Sequence, residues 1–539
     1  MTGSRAAIST AAIPEARRRY DSQAVRLMAD IDADPWGSVR ASVYETARVI
    51  SLAPDFAEHG TRLEWLLNQQ LPDGAWGEGP ARYRLLPTLS AVEALLATLV
   101  REATATVPPR VRLASAAADG LTALRRPPAD GRWPDTAAIE VLVPSLVARI
   151  NSLLDHSVTG TLPHLGPLSR GARLSVPHGF RPERHEEIAQ RCRTGVPGKL
   201  HHTFEGIARH LPGNTVPVPH GLLGSSPAAT GAWLASQPEG EQGEQARAAL
   251  SAAARRYGGL FPEAAPIRAF ERLWVAAALA RPSLPPACRA TAGAWAHDIY
   301  DPAGVRGAPG LLPDADDTAM AVLVAALTGT SGDPAPLAAF WADTHYRCYI
   351  GEDTGSVTAN AHALQALTAH LRLRPAVSPV HHPRMDLVRD WLVEQQTDGA
   401  WTDKWHASPY YATERCVRAL LSHDGPGTRQ AIQRAVDRVL ASQHDDGTWG
   451  IWGGTAEETA YAVQILLADP AAAIRPGWRT ALQRAEHALD AWDTRHEPPA
   501  LWHDKTLYAP TSMIQSEILA ARQLLTRHGP GRHTQGVAS

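Results

Sequence analysis

An all-α fold made of two α/α barrels is what this sequence predicts, and three observations predict it. Ala- and Leu-rich segments with helical apolar spacing fill most of the chain, and few stretches read as strands. The 539 residues include 43 prolines and 42 glycines, which around such segments implies many short helices ended by abrupt turns. A Gln/Trp pattern also recurs. Trp65-Leu66-Leu67-x-Gln69-Gln70-x-x-Asp73-Gly74-Ala75-Trp76 returns as Trp391-Leu392-Val393-x-Gln395-Gln396-x-Asp398-Gly399-Ala400-Trp401, and again as Val439-Leu440-x-x-Gln443-x-Asp445-Asp446-Gly447-Thr448-Trp449.

Taken in order, residues 1–15 read as frayed, and 16–33 form a first helix that stops near Asp34-Pro35. Trp36-Gly37-Ser38 opens a second helical segment around 43–50. In each Gln/Trp copy the glutamine, near a helix C-terminus, can bond backbone groups of the Asp-Gly turn while the tryptophan covers the helix end. The pattern therefore staples helical hairpins. Three widely spaced copies suit barrels better than a uniform solenoid. One copy lies near residue 70 and two lie beyond 390, separated by a Pro-rich middle, so two helical units are expected. Their boundary is placed near Arg281-Pro282-Ser283-Leu284-Pro285-Pro286.

Composition excludes several functions. Formal net charge is -3, with 52 basic and 55 acidic residues interspersed, which gives no footprint for nucleic acid. The four cysteines, Cys192, Cys288, Cys348 and Cys416, form no C-x-x-C pair, so neither a disulfide framework nor a thiolate zinc site is expected. No run of 18 apolar residues and no signal-peptide core is found, and a cytoplasmic protein without stable membrane insertion is the expectation.

The chemistry concentrates in Leu311-Leu312-Pro313-Asp314-Ala315-Asp316-Asp317, which leads into an apolar helix from Thr318. One reading is a helix cap, since acidic side chains suit a helix N-terminus. The other is an acid. Three adjacent carboxylates cannot all ionise cheaply in an apolar cavity, so at least one keeps its proton near neutral pH, and their titrations are coupled.

With Asp-x-Asp-Asp at 314–317 go further segments: Ser42-Val43-Tyr44-Glu45-Thr46-Ala47, Arg84-Leu85-Leu86-Pro87-Thr88-Leu89, His202-Thr203-Phe204-Glu205-Gly206 and Ser226-Pro227-Ala228-Ala229-Thr230. Gly258-Gly259-Leu260-Phe261-Pro262, Phe270-Glu271-Arg272-Leu273-Trp274, the stretch 354–362 and the stretch 403–411 follow. In that order they resemble class II terpene cyclases, most closely the bacterial class II diterpene cyclases of the copalyl diphosphate synthase type, over nearly the whole chain. The resemblance implies a βγ pair of α/α barrels with the active cavity between them. The γ domain would span 35–284, and the β domain would join 1–34 to 285–539. It also implies an isomerase-type terpene cyclase that protonates geranylgeranyl diphosphate to give a bicyclic copalyl-, halimadienyl- or clerodane-type diphosphate. No DDxxD or NSE cluster is present to ionise the diphosphate, which should be retained.

By the same resemblance Asp316 delivers the proton with Asp314 and Asp317 in support, and Asn360 and His362 hold its other oxygen. His202 and Tyr257 match the pair that ends the reaction, although the plant ent-copalyl enzymes carry asparagine at the position of Tyr257, which leaves skeleton and stereochemistry open. Aromatic faces stabilise a moving cation by about 2 kcal/mol when desolvated. Trp274, Trp405, Tyr410, Tyr411, Trp452, Trp502 and Tyr508 are candidates. Lys199, Lys404 and Lys505 are candidate phosphate contacts. A diphosphate-associated Mg²⁺ is implied, and the family's acidic cluster is reduced here to Asp130, Asp135 and Glu140. The expected partners are the polyprenyl diphosphate and a downstream class I synthase or phosphatase, and the chain is expected as a monomer or homodimer.

Other readings stay open. Farnesyl diphosphate would give a drimenyl-type product. A squalene-type cyclase would need more Gln/Trp copies and a membrane-docking segment. A prenyltransferase β-subunit would need zinc and a partner subunit. An inert helical scaffold, or an (α/α) glycosidase with paired carboxylates, completes the set.

Overall fold

The computed structural model describes residues 12–34, 36–101, 108–126, 132–156, 173–211, 221–236, 240–330, 332–352, 354–492 and 497–528. Asp130 lies outside them. Helices dominate, and the strands are two short antiparallel pairs, Trp341–Ala342 with His345–Tyr346 and Trp502–His503 with Leu507–Tyr508.

Six helices pack side by side in a closed ring: Arg268–Ala280, Ala315–Thr328, Val357–Leu373, Pro409–Ser422, Ala456–Ala468 and Thr511–His528, the last returning onto the first. Their sequences are apolar nearly all round, as a helix buried on every face must be. Helices Pro286–Asp298, Ser378–Glu394, Thr428–Ala441 and Trp478–Ala491 alternate with them outside the ring. Helix Ala12–Ala33 takes the outer position against Thr511–His528 and Arg268–Ala280, with Tyr20, Leu27 and Ile31 buried, and the segment 335–346 stands between Ala315–Thr328 and Val357–Leu373. The N-terminal helix therefore belongs to the C-terminal barrel. The packing moves one expected boundary: helix Arg268–Ala280, ahead of residue 284, is an inner member of this barrel, with Leu273, Val275 and Leu279 in its core.

A smaller ring is formed by Val43–Leu52, Ala81–Val100, Ile139–His156, the turn Phe204–Gly206 and Pro227–Ser236, with two adjoining cores of its own. Helix Ala81–Val100 is long and apolar enough to cross a membrane, but it is mostly buried in this core.

The Gln/Trp copies build three equivalent joints. Trp76, Trp401 and Trp449 are fully buried and donate their indole N–H groups to Leu66 O at 2.7 Å, Leu392 O at 2.6 Å and Val439 O at 2.8 Å. These acceptors are carbonyls in the last turns of the preceding helices, and two of them, Leu66 O and Val439 O, also accept from Gln69 N and Ser442 N at 3.2 Å. Gln70, Gln396 and Gln443 donate to Ala116 O, Ala431 O and Ala481 O on the following outer helix, at 2.8–3.0 Å. The turn glycines Gly74, Gly399 and Gly447 have φ of 87°, 76° and 87°, and a Cβ at each would strike backbone within 3 Å.

The units are stitched together by buried charge. Lys505, from the turn of the 502–508 hairpin, reaches into the smaller ring, where Nζ donates to Glu45 at 2.7 Å, Glu205 at 2.8 Å and Ser226 at 2.7 Å. All three charged side chains are at most 1% exposed.

Candidate active site

A cavity of about 390 Å³ opens between the two rings. Residues from 137–140 and 198–203, together with Ala264, line it from the side of the smaller ring, and most of the rest comes from the barrel. The barrel's contribution has a common origin: Phe270, Asp314, Asp316, Asp317, Cys348, Tyr349, Trp405, Tyr411, Trp502 and Tyr508 lie in the first turns of its inner helices or in the loops before them, and Trp274 lies two turns into helix Arg268–Ala280. Inner helices separated by one outer helix run parallel, so one end of the barrel collects all these loops. The size suits a small organic ligand.

Both readings of the acidic trio are realised. Asp314 caps helix Ala315–Thr328 by accepting a hydrogen bond from Asp317 N at 2.7 Å, with extended φ and ψ of -137° and 166°. Asp316 and Asp317 occupy the first turn and face the cavity. All three are under 9% exposed. Burial pushes the Asp314 carboxyl up to about 7. Burial, then the Asp314 charge beside it, push Asp317 well above the ordinary carboxylate range, and a proton shared by their side chains follows. His362, 2% exposed on helix Val357–Leu373, places Nδ1 2.6 Å from Asp316 Oδ1, while its Nε2 meets no hydrogen-bond partner.

Around the acid stand rings. Trp274 meets His362 edge-on at 5.4 Å and donates its indole N–H to the Tyr411 hydroxyl at 2.9 Å. Trp502 packs against Tyr411 at 4.8 Å and Phe270 at 5.7 Å. Burial holds the phenols of Tyr349, Tyr411 and Tyr508 far above their ordinary value, so they stay protonated. The walls offer π faces and few free lone pairs.

Several expected site residues stand elsewhere. Asn360 does not touch the acid: its side chain accepts from Tyr346 N at 2.7 Å and donates to Tyr346 O and Ser356 O at 2.8 Å, pinning the 341–346 hairpin. Tyr257, ending helix Glu241–Arg256, lies off the cavity with its hydroxyl 3.4 Å from Gly37 O. His202 therefore has a different partner, Asp504, at 2.8 Å. Tyr410 bonds Ser442 Oγ at 2.9 Å on the outer side of its helix, and Trp452 is partly exposed against Tyr83. Lys505 is consumed by Glu45 and Glu205 and contacts no cavity. Lys404 stands behind Trp405 and is paired with Glu352 at 2.7 Å, so of the three candidate lysines Lys199 is the one that lines the cavity.

Of the acidic cluster, Asp135 is exposed and off the cavity, whereas Glu140, in the first turn of helix Ile139–His156, lines its edge. The expected three-carboxylate ligand set is therefore not assembled among the described residues. His185, Glu186 and His210 do bring ligand atoms within 4.8 Å of one another, but they are remote from the cavity lining. Sequence reading missed Phe270, Tyr349, Glu352 and Asp504. Phe270 and Asp504 adjoined segments already singled out, and the Trp502-His503-Asp504-Lys505 run could have exposed Asp504.

The squalene-hopene cyclase C-terminal domain model matches residues 350–488. A copalyl diphosphate synthase of Streptomyces cyslabdanicus is 60% identical over 516 residues, covering 95% of this chain and 97% of its own. A labda-7,13-dienyl diphosphate synthase of Streptomyces clavuligerus is 44% identical, covering 96% and 95%. The solved ent-copalyl diphosphate synthase of Streptomyces platensis superposes with a TM-score of 0.85 at 39% identity, over 94% of this chain and 99% of that one. With two helical rings enclosing an acid-bearing aromatic cavity, and such likeness along nearly its whole length, this chain belongs to the bacterial class II diterpene cyclases.

Proposed function

We propose that the protein protonates geranylgeranyl diphosphate and cyclises it to a bicyclic diterpenyl diphosphate, keeping the diphosphate. The observation that carries this reading is Asp316, buried at the wall of an aromatic cavity with His362 2.6 Å from one carboxyl oxygen. A Nδ1–H on Oδ1 leaves the other oxygen to present the acidic proton. The terminal alkene takes that proton to form a C–H bond, and the tertiary cation is attacked in turn by the internal double bonds. The carboxylate left behind sits in the first turn of a helix, where the macrodipole favours negative charge.

Trp274, Tyr411 and Trp502 stabilise the cation by about 2 kcal/mol per desolvated face, and the protonated phenols give it no base to lose its proton to early. The relatives' products, copalyl and labdadienyl diphosphates, are bicycles of this kind. Lys199 and Glu140, on the smaller ring, fit the diphosphate end. Glu140 is the described residue placed to hold a Mg²⁺, which would supply charge neutralisation for the diphosphate.

The test is incubation with geranylgeranyl diphosphate, enzymatic dephosphorylation and mass spectrometry of the alcohols. A single bicyclic alcohol is expected, and none from Asp316→Asn with an unchanged circular dichroism spectrum. Faster turnover of farnesyl diphosphate would move the substrate to the shorter class. Full activity of Asp316→Asn would overturn the acid.

A further inference from the structure

Resting on that cyclisation reading, we propose that the carboxylate of Asp504 is the base that ends the reaction, with His202 as its charged positioning partner. The argument begins with the protons of His202. Its Nδ1 lies 2.6 Å from Gly224 O, and a carbonyl can only accept, so Nδ1 carries a hydrogen. Its Nε2 lies 2.8 Å from Asp504 Oδ1. Whether the shared proton rests on nitrogen or oxygen, the imidazole presents no lone pair to the cavity. Burial works against a charged His202, but the Asp504 charge outweighs it and raises its pKa, which favours the imidazolium–carboxylate form.

The contact with Gly224 is built in. Gly224 has φ of 56°, and a Cβ there would stand 2.3 Å from His202 N, so only glycine allows this approach.

Asp504 is as firmly placed. Its N–H donates to Thr506 O and its carbonyl accepts from Ala137 N across the two rings, both at 3.0 Å. Its side chain is 16% exposed and lines the cavity, and among the described residues nothing bonds Oδ2. Of the other titratable cavity groups, Glu140 stands at the diphosphate end, and His503, Glu352 and the phenols are engaged elsewhere. His503 donates from Nδ1 to Lys404 O at 2.8 Å and accepts the Tyr83 hydroxyl proton on Nε2 at 2.9 Å. Glu352 is paired with Lys404, and the buried phenols hold their protons. Asp314 and Asp317 sit at the starting end with Asp316.

In the terminating step the C–H bond beside the final tertiary cation breaks, its electron pair becomes the second bond of the product alkene, and the proton passes to Asp504 Oδ2. On product release that proton goes to water while Asp316 takes one up, so the cycle is an isomerisation with no net proton. The His202 contact at Oδ1 fixes the carboxylate and leaves Oδ2 for the cavity.

The experiment compares Asp504→Asn and His202→Gln in the whole protein with geranylgeranyl diphosphate, reading turnover, product identity after dephosphorylation, and the pH profile of kcat. Asp504→Asn is expected to lose about 100-fold or more in kcat, as removal of a general base does. Its residual product should shift to a hydroxylated bicycle or isomeric alkenes. His202→Gln is expected to keep the wild-type alkene and to lose from the pH profile of kcat the inflection that His202, held above its ordinary value despite burial by the Asp504 charge, contributes. If Asp504→Asn makes the wild-type alkene alone within about threefold of the wild-type rate, or if only His202→Gln redirects the product, the proposal is overturned. Should Asp504→Asn fail to fold, Asp504→Glu decides: an altered alkene ratio supports the assignment, and wild-type ratio and rate refute it. Activity lost in Asp316→Asn but untouched in Asp504→Asn sinks the base alone, whereas no cyclisation by the wild-type protein sinks the underlying reading.

Discussion

Replacing Lys505 by methionine removes the one cation from a cluster that also holds Glu45 and Glu205, and the structure fixes how much that should cost. Nζ makes three bonds of 2.7–2.8 Å, and lysine and both glutamates are sealed from water. Breaking a buried ion pair from one side leaves uncompensated charge and costs about 3–5 kcal/mol. The loss should depend on pH. Burial already raises Glu45 to about 7 with Lys505 present, and without the lysine it rises further. A carboxyl raised in the folded state binds more protons folded than unfolded, so stability falls as pH climbs from the ordinary value of 4.5 through the folded one. In Lys505→Met that window extends above 7, and the deficit should be larger at pH 8 than at pH 5. Calorimetric unfolding of both proteins at pH 5, 6, 7 and 8 measures it, together with retention of cyclase activity, because the same hairpin carries Trp502 and Asp504. Equal melting temperatures at pH 8 would refute the claim that this cluster holds the rings together.

The acidic cluster should show in the rate: burial holds Asp314 up to about 7 and Asp317 higher, so kcat is expected to fall as pH rises through about 7 and Asp314 gives up its proton, which a pH–rate profile under saturating substrate would reveal. Trp449→Phe deletes the 2.8 Å bond to Val439 O, which keeps Ser442 N and Oγ as donors, so a loss of about 0.5–1.5 kcal/mol is expected in denaturant unfolding with the product unchanged. Glu140→Gln should raise KM for the diphosphate substrate several-fold and weaken the rate response to added Mg²⁺ while leaving the product alone; equal Mg²⁺ titrations of the two proteins would remove Glu140 from the diphosphate site.

What could be read from the chain beforehand was what neighbours in sequence decide together. The Gln/Trp joints are local, so the role of Trp76, Trp401 and Trp449 followed from their spacing; the carbonyls of Ala116, Ala431 and Ala481, 35–46 residues away, completed each joint and could not be seen. The trio at 314–317 was legible for the same reason, and His362 came through resemblance. Failures came where direction decided. Asn360 and His362 are two residues apart on one helix, about 200° around it, so only one can face Asp316. Lys505 and Asp504 are adjacent on a tight turn and point into different chemistry, one into Glu45 and Glu205, the other into the cavity. Tyr257 was assigned from the glycines that follow it, but its helix ends on the far side of that turn. Helix Arg268–Ala280 was placed in the wrong unit because the prolines at 282–286 looked like a linker, when they only separate an inner helix from its outer neighbour.

Capping and acid catalysis were opposed readings of Asp314, Asp316 and Asp317, yet the barrel makes them one arrangement. Inner helices running parallel gather their N-termini at one end, and each supplies unpaired N–H groups and a positive dipole there. Asp314 satisfies the Asp317 N–H, which leaves Asp316, two residues into the sequence motif, free to turn towards His362. Those same positive ends would repel a carbocation if it met them bare. Tyr411, in the first turn of its helix, Trp502, ahead of the next one, and Trp274, two turns into its own, line the cavity and present their negative faces instead. On this account Trp502→Leu should lower kcat and release partly cyclised products without disturbing the Asp316–His362 contact; a variant that keeps wild-type rate and a single bicyclic product would show that the aromatic lining fills space and nothing more.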